Sequence, residues 1–249
     1  KKGSKVEVLG KARIGLKSDS TPLSKNKSLP NVALISTGGT IASHVDYKTG
    51  AVHPMTKPRE LLGKIPELKK IANISVSAPM SIFSEEMNSE HWSKIAGFVA
   101  RELNKDDIRG VVVTHGTDTL HYTAAALSFA LEGLSKPVAL VGSQRSSDRG
   151  SFDGGMNLIC GVHYAASDIA EVATVLHGTS SDDYCIANRG TKVKKLHTSK
   201  RDAFRPINTV PLAKIYPDGK LEKHSNCELR HSGKVKVKSK FEEKVALIK

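Results

Sequence analysis

Two short stretches of the sequence combine threonine hydroxyls with glycines, a combination suited to nucleophilic attack on a carbonyl carbon. They are Ser36-Thr37-Gly38-Gly39-Thr40-Ile41 and Thr114-His115-Gly116-Thr117-Asp118-Thr119. A hydroxyl is a poor nucleophile, so it needs an adjacent base or positive charge. Glycine lets backbone N–H groups approach a ligand closely, and such groups can stabilise an oxyanion. Either stretch alone could be only a tight turn or a helix cap, but the two together predict a functional site that contains Thr40 and Thr117.

Both stretches follow apolar runs that are typical of buried strands. The runs alternate with helical patterns, which predicts an α/β fold with three layers and a mainly parallel sheet covered by helices on both faces. Strands are expected at Val32–Ser36, Ile74–Ser77, Val111–Thr114, Pro137–Val141 and Val172–Leu176, and helices at Ser89–Leu103, Thr117–Glu132 and Met156–Ala166. Gly133 is expected to cap the second helix. Since ligands bind at the carboxyl ends of parallel strands, both threonine stretches should lie at the ligand-binding edge.

The rhythm of the sequence changes after Asp183 and predicts β-hairpins in the C-terminal third. One hairpin should join Tyr184–Ala187 to Thr191–Leu196 and the other Ala213–Tyr216 to Lys220–Lys223. The closing segment, 233–249, alternates valine with lysine, which indicates an edge strand followed by a linker.

The 249 residues carry a net charge of +13 that is concentrated at the two ends of the chain. Residues 1–28 hold eight lysines and arginines against two acidic residues, and residues 189–249 hold seventeen against six. A near-neutral body with basic ends suggests that the ends would meet any polyanion, although a solvated surface with a basic tail is an equally simple interpretation.

No apolar run is long enough to span a membrane, and cytoplasmic localisation is expected.

Several common catalytic templates are absent from the sequence. The Gly38-Gly39 turn lacks the lysine of a phosphate-binding P-loop, and there is no G-x-S-x-G elbow of a serine hydrolase. The histidines form no H-E-x-x-H motif, and Cys160, Cys185 and Cys227 show no paired spacing, which disfavours a zinc site and a disulfide framework. No metal site is therefore predicted on this chain.

The motifs around Thr40 and Thr117 resemble the two signature motifs of the L-asparaginase family. Thr37-Gly38-Gly39-Thr40-Ile41-Ala42 and His115-Gly116-Thr117-Asp118-Thr119 match them in order and separation. The stretches 142–149 and 156–158 are similar to the family's third loop and to the helix that follows it. The resemblance runs from about Asn31 to the end of the chain.

The resemblance implies a role for each matching residue. Thr40 would be the nucleophile on a mobile loop, and Tyr47 would reach it from the same flap. Thr117, Lys195 and Asp118 would form a triad that activates the attack, with Lys192 and Lys194 as alternative choices for the lysine. The substrate would be held by Ser84, Glu85, Asp118, Gly39 and Gly116.

Within the family, the sequence looks most like the D subunit of archaeal Glu-tRNA(Gln) amidotransferases. Glu85 stands where secreted asparaginases usually have glutamine, the stretch 189–195 is strongly basic, and a strand with a basic linker precedes the domain. The resemblance implies a homodimer that releases ammonia from glutamine or asparagine. A partner E subunit would use ATP and Mg²⁺ to activate Glu-tRNA(Gln) and would receive the ammonia, so this chain would need no cofactor.

The expected domain organisation follows from the same comparison. Residues 1–29 would be a remnant strand of an upstream domain with a basic linker, 30–244 the asparaginase-like α/β domain, and 245–249 the start of a linker to a second domain. Two other functions remain open on sequence grounds: a free-standing cytoplasmic L-asparaginase, and a non-catalytic domain that binds an amino acid or serves assembly.

Overall fold

The structure is a computed structural model that describes residues 26–45, 52–54 and 59–245. The strands are β1 (Asn31–Ser36), β2 (Ser43–Val45), β3 (Val52–Pro54), β4 (Asn73–Ser77), β5 (Ile108–Thr114), β6 (Leu131–Glu132), β7 (Val138–Val141), β8 (Val172–His177), β9 (Cys185–Arg189), β10 (Val193–Lys195), β11 (Phe204–Pro206), β12 (Ala213–Ile215), β13 (Leu221–Lys223) and β14 (Lys236–Val237). The helices are α1 (Arg59–Lys64), α2 (Leu68–Ile71), α3 (Ser89–Leu103), α4 (Leu120–Ala130) and α5 (Gly154–Ala166).

The main sheet of the described residues has eight strands in the order β13-β12-β9-β8-β7-β5-β1-β4. The neighbours β4, β1, β5, β7 and β8 are parallel, and β9, β12 and β13 extend the sheet in antiparallel pairs. The chain returns past β1 when it passes from β4 to β5, so the loops that leave β1 and β5 lie side by side at the carboxyl edge. This is the position where open parallel sheets bind ligands.

Successive strand residues alternate between two apolar cores on opposite faces of the sheet. Val32 and Leu34 of β1 pack with α2 and α5, whereas Ala33 and Ile35 pack with α3 and α4. Such alternation follows from the two-residue period of side chains along a strand. The structure thus confirms the predicted three-layer α/β class and the five predicted parallel strands, with shifts of one to three residues at their ends.

The first predicted hairpin is wrong. Strand β9 pairs antiparallel with β8 and β12 in the main sheet, whereas β10 pairs with β11. The reason is burial: Cys185 and Ala187 of β9 are fully buried in the core, which an isolated surface hairpin would not provide. The second hairpin is confirmed, since Ala213 pairs with Lys223 and Ile215 with Leu221.

The helix predicted from Thr117 to Glu132 is shorter than expected at both ends. Thr117–Thr119 form a turn, and α4 begins at Leu120, so Thr117 and Asp118 precede the helix. The helix ends at Ala130 because the next two residues pair with Lys236–Val237 of the closing segment. Gly133 has a φ of 68° and follows that short strand, so it does not cap the helix as expected. The closing segment forms only this two-residue strand among its described residues.

Candidate active site

The two threonine loops meet in a direct glycine-to-glycine contact at the carboxyl edge of the sheet. Gly39 has φ 80° and ψ 173°, a conformation that is essentially restricted to glycine. A Cβ atom added to Gly39 would lie 2.6 Å from the Gly116 Cα, so no larger residue fits there. Thr40 and Thr117 each follow one of these touching glycines. The contact therefore places both threonines at one site.

Lys195 connects the second threonine loop to strand β10. Its Nζ donates hydrogen bonds to Thr117 Oγ1 at 2.8 Å and to Asp118 Oδ1 at 2.8 Å. The Lys195 side chain is only 8% exposed, whereas that of Asp118 is 66% exposed. Charge-assisted bonds of this kind fix the position of the amine against the hydroxyl. Lys195, and not Lys192 or Lys194, is therefore the lysine that is hydrogen-bonded to Thr117 and Asp118. The role of the three residues as a triad, which the family resemblance implied, remains a prediction.

Two of the predicted substrate-binding residues, Ser84 and Glu85, lie in a short 3₁₀ turn, Ser84–Glu86, beside the second loop. Ser84 is buried, and its Oγ atom fills the space where a side chain at Gly116 would lie. The Thr119 hydroxyl donates to the Ser84 carbonyl at 2.6 Å and ties this turn to the loop. Glu85 is exposed and makes no hydrogen bond or ion pair with another described residue. Its carboxylate is therefore open to solvent next to the loop.

His115 supports the peptide that precedes Thr117. Its Nδ1 lies 2.8 Å from the Gly116 carbonyl, so this nitrogen must carry the proton. Its Nε2 lies 2.9 Å from Thr123 Oγ1, which also accepts a hydrogen bond from Trp92 Nε1 at 3.0 Å. Complete burial lowers the pKa of His115 to about 4, while the bond to Gly116 partly opposes the shift. His115 is therefore neutral at neutral pH, with both of its ring nitrogens engaged in hydrogen bonds.

The neutral His115 predicts a loss of stability in mild acid. In the unfolded chain this histidine takes up a proton below pH of about 6.5, whereas the folded state resists protonation down to its pKa of about 4. Its contribution to the free energy of unfolding is therefore present above pH 6.5 and is lost as the pH falls towards 4, by about 3 kcal/mol in total. Urea unfolding at pH 7.5 and 4.5 measures this loss. The His115→Gln variant should show a correspondingly weaker pH dependence, and an equal one would contradict the assignment.

A third loop, which follows β7, also contacts Thr117. The Thr117 hydroxyl lies 3.3 Å from Gln144 Oε1. The buried Asp153 carboxylate holds the loop by accepting hydrogen bonds from the backbone N–H groups of Gln144 and Arg145 at 2.9 to 3.1 Å. Asn157 Nδ2 donates to the Gly142 carbonyl at 2.9 Å. The sequence signalled this loop only through its likeness to the family's third loop, and gave Gln144 no role.

The remaining predicted site residues differ in what the structure says of them. Thr40 begins a 3₁₀ turn, Thr40–Ala42, and is partly buried. Tyr47 lies outside the described residues. Lys192 and Lys194 are exposed on the surface near β10. The structure therefore brings together Gly39, Thr40, Gly116, Thr117, Asp118, Lys195 and Ser84, and the roles of these residues remain predictions.

Neither a metal site nor a membrane span is found in the described part of the chain. Within residues 26–45, 52–54 and 59–245, no three His, Cys, Asp or Glu side chains are arranged to hold a metal ion. No helix in these ranges is long and apolar enough to cross a membrane.

Comparison with known proteins gives consistent matches. The family model described as the N-terminal part of asparaginase matches residues 31–228. The D subunit of the Glu-tRNA(Gln) amidotransferase from Thermococcus kodakarensis is 54% identical over 98% of this chain, and the one from Pyrococcus abyssi is 53% identical over 98%. The chain spans 56% of the length of each of these relatives. The solved L-asparaginase from Thermococcus kodakarensis superimposes with a TM-score of 0.74 at 25% identity, over 84% of this chain and 60% of that structure.

Proposed function

The chain belongs to the asparaginase family, and from this membership we propose that it is the amide-hydrolysing subunit of a Glu-tRNA(Gln) amidotransferase. It would release ammonia from glutamine or asparagine for the conversion of Glu-tRNA(Gln) to Gln-tRNA(Gln). The single observation that supports the hydrolytic part of this proposal is the position of the Lys195 amine. It is hydrogen-bonded at 2.8 Å to both Thr117 and Asp118, beside the contact between Gly39 and Gly116.

The proposed chemistry is acyl transfer through a threonine. A threonine Oγ forms a bond to the side-chain carboxamide carbon while its hydroxyl proton passes to the Thr117–Lys195 pair. The pair then delivers this proton to the amide nitrogen as the C–N bond breaks and ammonia leaves. Water then hydrolyses the ester and regenerates the hydroxyl. Thr40 is the proposed nucleophile, assisted by Tyr47. Backbone N–H groups of the Gly38-Gly39 turn are suited to stabilise the oxyanion, each worth roughly 2.7–4 kcal/mol in other hydrolases.

The use of the ammonia is inferred from the relatives. The identity to amidotransferase D subunits is 54%, against 25% to the solved asparaginase. The strongly basic stretch from residue 189 onwards also suits a complex that contains a nucleic acid. The proposal therefore includes an E subunit as partner, which would bind ATP, Mg²⁺ and the tRNA, and a homodimeric arrangement of this chain in the cytoplasm.

Ammonia release from glutamine and from asparagine tests this function. The protein at its full natural length would be assayed with and without an E subunit and Glu-tRNA(Gln). Strong stimulation of ammonia release by the tRNA complex, with formation of Gln-tRNA(Gln), is the expected result. Absence of stimulation contradicts the amidotransferase role, and rapid turnover without partner or tRNA would identify a free-standing asparaginase. Binding of the amino acids without turnover would identify a non-catalytic domain.

A further inference from the structure

Gln144 presents a carboxamide to Thr117 with only one of its two ends bonded. Its Oε1 lies 3.3 Å from the Thr117 hydroxyl oxygen, whereas its Nε2 is buried and has no hydrogen-bond partner among the described residues. A buried amide donor without a partner costs free energy comparable to a lost hydrogen bond, so its presence calls for an explanation.

With Gln144 placed so that its Oε1 faces Thr117, the hydrogen bonds around Thr117 Oγ1 direct the hydroxyl proton towards the carboxamide. Lys195 Nζ, as an ammonium, can only donate, so it uses a lone pair of the hydroxyl oxygen at 2.8 Å. The hydroxyl proton is then directed at Gln144 Oε1, which lies 3.3 Å from the Thr117 oxygen and accepts the hydrogen bond. In this arrangement the hydroxyl proton of Thr117 points away from Lys195. This orientation is unsuitable for transfer of the proton to Lys195.

A half-turn of the Gln144 carboxamide reverses this arrangement. The rotation exchanges the oxygen and the nitrogen of the amide with little change in its shape. Nε2 would then donate to Thr117 Oγ1, and the hydroxyl proton would be free to point at a neutral Lys195 amine. In each of the two arrangements, one end of the carboxamide is hydrogen-bonded to Thr117. The rotation therefore breaks one hydrogen bond and forms another.

The backbone of Gln144 is held in place, and its Nε2 has no hydrogen bond among the described residues that the rotation would break. The Asp153 carboxylate binds the Gln144 N–H at 2.9 Å, and Asn157 binds the Gly142 carbonyl at 2.9 Å. Asp153 and Asn157 are fully buried at the start of α5. A fixed backbone keeps the carboxamide within reach of Thr117, as positioning of a catalytic group requires.

We propose that Gln144 is the positioning residue of the Thr117 hydroxyl and that its carboxamide rotates when the Thr117 proton passes to Lys195. Lys195 first releases a proton to solvent. The Thr117 O–H bond then breaks and an N–H bond forms at Lys195 Nζ, whether Thr117 itself attacks or takes up a proton from the attacking group. Nε2 of Gln144 donates a hydrogen bond to Thr117 Oγ1 as the Thr117 O–H bond breaks. The inference rests on the proposed amide hydrolysis.

The charged groups around this pair set the expected pH behaviour. Asp118, in the turn before α4, is hydrogen-bonded to Lys195, and Lys194 is the neighbour of Lys195 in β10. His121 faces the lysine from α4, and its pKa is lowered by burial and by Lys194 and Lys195. On the Gln144 side, the Asp153 carboxylate is already occupied by backbone N–H groups. A new carboxylate at position 144 would therefore favour the ammonium form of Lys195.

Two substitutions of Gln144 test the proposal through kcat, KM and the pH profile. Gln144→Met keeps the length of the side chain but removes both hydrogen-bonding ends, and it should lower kcat about 10–100-fold with KM within threefold. Gln144→Glu can only accept as a carboxylate, so it should move the acid limb of the kcat–pH profile upwards by about one unit. Arg149→Met is the control, because this exposed side chain lies on the same loop, and it should keep kcat within twofold.

The outcomes separate this inference from the proposed function. A kcat within twofold of wild type for a folded Gln144→Met, or an unshifted acid limb in a folded Gln144→Glu, would overturn the role of Gln144 while amide hydrolysis stands. Failure of the wild-type protein to release ammonia would overturn both. Thermal unfolding checks folding, and if one variant does not fold the other decides.

Discussion

Replacement of Lys195 by methionine is expected to lower ammonia release by about 10⁴-fold or more, as found when one member of a protease catalytic triad is replaced. Methionine fills the same narrow space but leaves Thr117 without an amine at 2.8 Å. Because the side chain of Asp118 is 66% exposed, loss of its ion pair with Lys195 should lower the free energy of unfolding only slightly. Steady-state kinetics with glutamine and asparagine measure the loss, and thermal unfolding should show a midpoint close to that of wild type.

The neighbouring lysines supply the matched controls for this prediction. Lys192 and Lys194 are exposed, and Lys194 pairs through its backbone with Arg205 on the opposite strand. Lys192→Ala and Lys194→Ala should each keep kcat for ammonia release without tRNA within about threefold of wild type, since surface charges act only weakly through solvent. Full activity in Lys195→Met, or a larger loss in either control, would contradict the assignment of the lysine.

Substitution of Gly39 by alanine is expected to reduce ammonia release by more than about 10²-fold and to destabilise the protein by about 1–3 kcal/mol. The new Cβ would lie 2.6 Å from the Gly116 Cα, and the backbone at φ 80° and ψ 173° would be strained for any residue with a Cβ. Because the obstacle is backbone and not a flexible side chain, the two threonine loops must move apart. Kinetics together with urea unfolding separate the loss of activity from the loss of stability.

A second glycine shows what the same chemical change does without a contact. Gly97 lies on the exposed side of α3 with nothing within 4 Å of an added Cβ, and Gly97→Ala should stabilise the protein by roughly 0.5–1 kcal/mol. Its ammonia release should stay within twofold of wild type. If Gly39→Ala behaved like Gly97→Ala, the two loops would not depend on the glycine contact for their geometry.

The parallel half of the sheet was readable from sequence because its strands are short, continuous apolar runs. Val111, Val112 and Val113 of β5 are all fully buried, so burial on both faces left a clear pattern. The antiparallel half was harder to read. The partners of β9 are the preceding strand β8 and the later strand β12, and an alternating sequence does not specify which neighbour a strand pairs with. The error therefore concerned pairing and not the presence of a strand.

The site was predictable to the extent that its residues occur in local motifs. Thr40 and Thr117 each stand in a glycine-containing loop, and the structure brings the loops together. Lys195 comes from a distant strand, and its burial and its hydrogen bonds to Thr117 and Asp118 distinguish it from the adjacent lysines. Gln144 could not be assigned a role, because its contact with Thr117 spans 27 residues and depends on how α5 holds its loop.

Mass spectrometry of the protein quenched in acid during turnover of glutamine or asparagine tests the central claim most directly. A threonine nucleophile predicts an acyl ester on the peptide that contains Thr40 or on the one that contains Thr117, and its position identifies the residue that attacks first. Lys195→Met should accumulate no such ester under the same conditions. Turnover by the wild-type protein with no acyl group on either peptide, using a quench fast enough to trap the ester, would contradict acyl transfer through these threonines.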